Sequence, residues 1–130
     1  MCGDAVVDLQ AESYRAPRPL ATFLDFPGPA PIYIGFGALA VPDAAALTEV
    51  IYDAAKASGK RVLLSRGCAD LGKGVENKPE NVCLVGNCPH SWLLPKCSAA
   101  IHHGGAGTTA AALRAGIPCL VVRAASCCVL

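Results

Sequence analysis

Apolar and polar positions along this 130-residue chain change rhythm at Pro31. Residues 1–30 show no sustained periodicity and close on the Pro- and Gly-rich run PRPLATFLDFPGPAP, which predicts a linker or entry arm with one helical turn around Leu20 to Phe26. From Pro31 onward, short and almost uniformly apolar runs alternate with longer periodic ones. PIYIGF, RVLLS and NVCLVG, then the runs around Ile101 and Leu120, each suit a strand covered on both faces of a sheet. Between the first two lies VPDAAALTEVIYDAAKASG, a helix with Asp43 as N-cap and Gly59 just past its end, whose apolar face is expected to carry Leu47, Val50, Ile51, Ala54 and Ala55. Arg66 to Glu80 reads as a polar, glycine-bearing loop. PHSWLLPKC is too short and too proline-bounded for more than one helical turn.

Five apolar strands separated by helices or long crossings predict an α/β domain over residues 31–122, a Rossmann-like, doubly wound parallel sheet. Residues 123–130 form a divergent tail. Ligands of such sheets lie outside the carboxyl ends of the strands. Three loops leave those ends with ligand-like content, GFGALA, GNCPHSW and HHGGAGTT, and they are expected to share one cleft.

The last of these loops organises the chain. In IHHGGAGTTAAALRAGIPCLVV a strand runs through a histidine pair and a glycine-rich turn into a helix, which stops at Gly116 and Pro118 before a second buried strand. Backbone N–H groups at a helix start have no internal partner, the helix dipole adds positive potential, and glycines let an anion approach the main chain. A phosphate group is the natural guest.

Composition narrows the field. The length suits one domain at most, and a net charge of +1 without a basic face argues against nucleic acid. Eight cysteines behind an N-terminus, MCGDAVVDLQ, with no secretory pattern predict a cytoplasmic protein with reduced thiols. Every apolar run is interrupted too early to span a bilayer, so any membrane association is expected to be peripheral. The chain holds no Gly-x-x-x-x-Gly-Lys-Ser/Thr loop, no Gly-x-Ser-x-Gly elbow and no Gly-x-Gly-x-x-Gly followed by a suitably spaced acid. ATP and nicotinamide chemistry are disfavoured.

VGNCPHSWLLPKCSAAIHHGGAGTTAAALRAGIPCLVV closely resembles the donor-binding motif of UDP-sugar-dependent glycosyltransferases of the GT-B fold, in particular the sterol 3-beta-glucosyltransferase group. The flanking PIYIGFGALAVPD and KRVLLSRGCADLG also resemble that group's C-terminal domain, so the likeness runs from about Tyr14 to Val122. It implies an incomplete C-terminal domain that binds UDP-glucose as donor substrate, with no further cofactor and no metal. It implies that His103 approaches the diphosphate and that the amides of Gly105, Ala106, Gly107, Thr108 and Thr109, with the threonine hydroxyls, cradle the phosphates. The loop from Gly86 to Trp92, with Asn87, His90 and Trp92, lies along the uracil and ribose, and the Gly35 to Gly37 turn lies beside the phosphates.

There are departures. Ala38 stands where the family has a serine, and RAASCCVL follows Val122 where the family has a proline, aromatics and an Asp-Gln pair that holds the sugar hydroxyls. The acceptor pocket and the histidine base belong to an N-terminal domain that this sequence does not contain. The expectation is a donor-binding fragment that transfers glucose to a sterol or lipid hydroxyl only when an acceptor domain completes it. The alternative is a non-catalytic truncated isoform or remnant, acting as a nucleotide-binding or regulatory partner.

Each residue also has a plainer reading. His102 fits a structural strand end better than a ligand, and Trp92 can be a core or interdomain aromatic. His90 can be an ordinary loop histidine, Asn87 a turn former, and Arg66, at a strand end and only a weak candidate for the phosphate side, part of a solvated loop. Cys83, Cys88 and Cys97 with His102 lack zinc-ligand spacing and read as small buried hydrophobes. Cys127-Cys128-Val129-Leu130 matches a prenylation box with a geranylgeranyl-type leucine, and equally fits a tail from a truncated frame or alternative exon.

Overall fold

The structure, a computed structural model, describes residues 13–36, 43–67, 70–86 and 88–122. Five parallel strands form one sheet: β1 (Ile32–Gly35), β2 (Val62–Ser65), β3 (Val82–Val85), β4 (Ala99–His102) and β5 (Cys119–Val121), in the order β3-β2-β1-β4-β5. The helices are α1 (Arg18–Asp25), α2 (Ala44–Ser58), α3 (His90–Leu93), which runs into a 3₁₀ turn at Leu94–Lys96, and α4 (Ala106–Ala115). The predicted doubly wound parallel sheet is present, as is the single turn of PHSWLLPKC.

Alternation along the strands makes two cores, one on each face. Tyr33, Leu63, Cys83, Val85 and Ala100 point to the face covered by α1, α3 and α4, where Leu20, Leu93, Leu94, Ala111 and Ala112 meet them. Ile34, Val62, Leu64 and Val82 point to the other, against Ile51, Tyr52 and Ala55 of α2. Register is consistent across the sheet: Tyr33 lies beside Leu63 and Ala100, and Leu63 beside Cys83.

Local chemistry sets the helix limits. Asp43 Oδ1 accepts the Ala46 amide at 3.0 Å, the expected N-cap, and Gly59 and Gly116 close α2 and α4 in the left-handed conformation. The entry arm has two turns of helix rather than one, and Leu20 brings it into the core. The Arg61 guanidinium, which lies 4.5 Å over the Phe23 ring, donates to the carbonyls of Phe23 and Pro29 and so ties this arm to the start of β2.

Two expectations need correcting. The buried face of α2 is Thr48, Ile51, Tyr52 and Ala55, while Ala54 is exposed and Val50 is 64% exposed. The hydrophobic count misses Thr48 because it is polar, yet its hydroxyl donates to the Ala44 carbonyl and accepts the Gly72 amide, so it is buried without an unmet bond. The second correction is β5, which is an exposed edge strand, not a buried one, with Leu120 59% exposed. Apolar sequence makes it a strand; burial needs a covering layer, which the described residues do not supply there.

Candidate functional site

Strands β1 and β4 are neighbours at the centre, and the chain leaves them toward opposite edges, β1 toward β2 and β4 toward β5. This is the switch point of a doubly wound sheet, where the carboxyl ends of two strands diverge and leave a crevice. Gly35 lies beside His102, so both strands end there together.

His102 closes β4 and is fully buried; its Nδ1 accepts the Gly104 amide at 3.0 Å. Gly104 turns at φ +90°, a conformation L-residues rarely adopt, and a Cβ there would lie 3.1 Å from Val121 Cγ1. Gly105 then serves as N-cap of α4 without any side-chain cap. The amides of Ala106, Gly107 and Thr108 therefore sit where no intrahelical acceptor exists. At Gly107 even an added Cβ would meet nothing within 4 Å, so this helix end is open.

Thr109 behaves differently from its neighbours. Its amide and its hydroxyl both donate to the Gly105 carbonyl, at 2.9 and 2.8 Å, so its donors are spent inside the helix. Thr108 is buried. The imidazole of His103 lies over Gly105, where a Cβ would come 2.7 Å from Nε2. His103 Nδ1 is buried without a hydrogen-bond partner.

At the carboxyl ends of β2 and β3 lies a cavity of about 490 Å³ lined by Tyr33, Ser65, Arg66, Asp70, Gly86 and His90 among others. His90 Nε2 and Tyr33 Oη share a hydrogen bond of 3.1 Å, with their rings edge to face at 5.7 Å. Burial raises the Tyr33 phenol above its ordinary value of 10.0. Burial lowers His90 below 6.5, reinforced by His102 and His103; burial, then His103, does the same to His102. Both rings are neutral at pH 7, so the positive potential here comes from the end of α4 and from Arg66 rather than from these two imidazoles.

The structure thus brings His90 to the histidine pair, although the glycine turn itself does not line the cavity. Trp92 is engaged elsewhere: Lys96 Nζ sits 4.1 Å over its ring, Tyr14 meets it edge-on at 4.9 Å, and it packs on the α1 side core. Gly37, Asn87 and the Cys127–Leu130 box lie outside the described residues. Tyr33, Ser65 and Asp70 are the site residues that sequence reasoning passed over; the one available signal was Gly35, two positions beyond Tyr33 on the same face, which leaves room for the phenol. Cys83 and Cys97 are buried, and burial, with Cys88 nearby, pushes the Cys97 thiol up to about 12, so both behave as small apolar groups.

The domain family described as erythromycin biosynthesis protein CIII-like, C-terminal domain, matches residues 49–130. The chain belongs to this family. The chain is 45% identical over 119 residues to the sterol 3-beta-glucosyltransferase of Komagataella phaffii, covering 86% of this chain and 10% of that one. Among solved structures it is similar to the glycosyltransferase SnogD from Streptomyces nogalater, with a TM-score of 0.64 and 28% identity over 86% of this chain and 28% of that one. It is similar also to the glycosyltransferase VinC in complex with dTDP, with a TM-score of 0.61 and 25% identity over 85% and 27%. The sheet is therefore part of the C-terminal domain of a GT-B glycosyltransferase fold, and the chain spans about a tenth of the first relative's length. No helix among the described residues is long and apolar enough to cross a membrane.

Proposed function

We propose that this chain binds the nucleotide diphosphate of a sugar donor, UDP-glucose, as the donor half of a glucosyltransferase acting on a sterol or other lipid hydroxyl. The open, uncapped start of α4 at the switch point carries the proposal. The amides of Ala106, Gly107 and Thr108, with Gly105 at the cap and His103 over it, take the diphosphate; the Thr109 amide and hydroxyl, bonded to Gly105, instead stiffen the first turn. His90, held by Tyr33, and the cavity beside it take the nucleoside; Asn87, three residues before His90, and Gly37, two residues after β1, are further contacts proposed from their place in the sequence alone. Trp92 braces α3 from behind.

VinC, solved with dTDP, supports a nucleoside diphosphate as the ligand, and the Komagataella phaffii relative supports glucose and a sterol. When the sugar leaves for an acceptor hydroxyl, negative charge grows on the diphosphate, and fixed amides aimed there stabilise it without reorganising. The acceptor and its base come from another domain, and contact with a membrane is peripheral at most. Calorimetric titration with UDP tests the reading. The wild-type chain is expected to bind saturably and Gly107→Asp, which sets a carboxylate against the phosphates, about tenfold or more weakly. No saturable heat from folded wild-type protein overturns it.

A further inference from the structure

The two adjacent histidines face different tasks, and we infer that His102 is a positioning residue: by accepting the Gly104 amide at Nδ1 it holds the glycine turn in the shape that presents the α4 amides, without itself touching the nucleotide. This rests on the donor-site reading above.

The ring is anchored on both flanks. His102 lies in register with Gly35 of β1 and Val121 of β5, and its carbonyl accepts the Val122 amide at 2.8 Å. A side chain on so fixed a backbone, fully buried, is a rigid arm. It reaches two residues ahead to Gly104, where the chain turns at φ +90° before starting α4. Without that acceptor the Gly104 amide loses the partner that defines the turn, and the amides of Ala106 to Thr108 lose their fixed direction.

The same bond fixes the protonation state. Nδ1 accepts only when it carries no proton, so the ring is neutral with its proton on Nε2, an atom that is buried and has no hydrogen-bond partner. A second proton would set two N–H groups against each other and open the turn. The titratable neighbours are His103, next in the chain, and His90 of α3; burial and His103 oppose a charge on His102, and His102 in turn opposes one on His90. With its folded pKa below the ordinary 6.5, the neutral ring and the bond are complete above that value. They are lost as pH falls through the folded pKa.

Asparagine provides a discriminating replacement. Its Oδ1 is attached to Cγ, as Nδ1 is in histidine, and it makes the same bond to the amide two residues on, but it does not titrate. The test compares the 130-residue wild type with His102→Asn and His102→Leu, by UDP calorimetry at about pH 7.5 and 5.5, by thermal melts and by NMR exchange of the Gly104 amide. His102→Asn is expected to bind UDP within about threefold of wild type at the higher pH and to weaken less on acidification; His102→Leu is expected to bind about tenfold more weakly while still melting cooperatively. UDP itself titrates alike against wild type and His102→Asn, and His90, whose lowering His102 reinforces, is followed separately through its ring resonances at both pH values, so the remaining difference reports the His102 ring. The Gly104 amide should exchange slowly in wild type and Asn, and fast in Leu.

Leucine with wild-type affinity, asparagine as weak as leucine, or equal Gly104 exchange in all three overturns the inference. A wild type that ignores UDP while Gly104 exchange follows the predicted order removes the donor reading and leaves the turn device standing.

Discussion

The two sides of the sheet are built on different terms. Around β1, β2 and β3 the strands carry bulky side chains between layers on both faces, and Leu63 and Leu64 are wholly buried. Around β4, α4 and β5 the residues are small: Ala100, Ala111 and Ala112 make the contact, while Leu113, Leu120 and Val121 face outward. One side holds the fold by apolar area. The other trades area for closeness, since glycine and alanine let a helix start hard against a strand end and keep its amides open. Stability and the proposed phosphate contacts therefore depend on different residues, and substitutions can separate them.

The largest effect is expected at Leu63→Ala, which empties a fully buried site between β1 and β3 and should lower the unfolding free energy by about 2–5 kcal/mol in urea denaturation. If UDP still binds whenever the protein is folded, the two sides are separable. Gly35→Ala comes next. Its Cβ would overlap the Tyr33 hydroxyl and lie 2.7 Å from Cζ, so the phenol must shift, costing about 1–3 kcal/mol and moving the His90 ring resonances with it. An unchanged His90 spectrum would show that Tyr33 does not hold that ring. The smallest effect is expected at Leu120→Ser on the exposed strand β5, within about 0.5 kcal/mol. A large loss there would mean that the edge contributes as much as the centre.

Much of this was legible in the chain because parallel strands are apolar on both faces and need no partner to be recognised; RVLLS and NVCLVG announce themselves. The HHGGAGTT turn was legible because strand, glycine and helix signals are contiguous. What escaped depends on neighbours far away in sequence. Thr48 is buried because Gly72 donates to it, Tyr33 belongs to the site because His90 reaches it, and Thr109 turns its hydroxyl back to Gly105 only once α4 has formed. Leu120 looks like a core residue until the sheet order shows that its strand is at the rim.

The pairing of Ile32 with Ala99 has a consequence in time as well as in space. The central β1–β4 ladder closes the longest loop in the sheet, whereas the β1–β2, β2–β3 and β4–β5 ladders each join strands that are consecutive along the chain. A chain synthesised only as far as Val85 can zip the β1–β2–β3 half and still has no crevice. Within the described sheet the proposed phosphate turn, which follows β4, thus becomes possible only after the β1–β2–β3 half can pair, and a folding intermediate arrested before β4 docks would carry most of the apolar core with none of the proposed affinity for UDP.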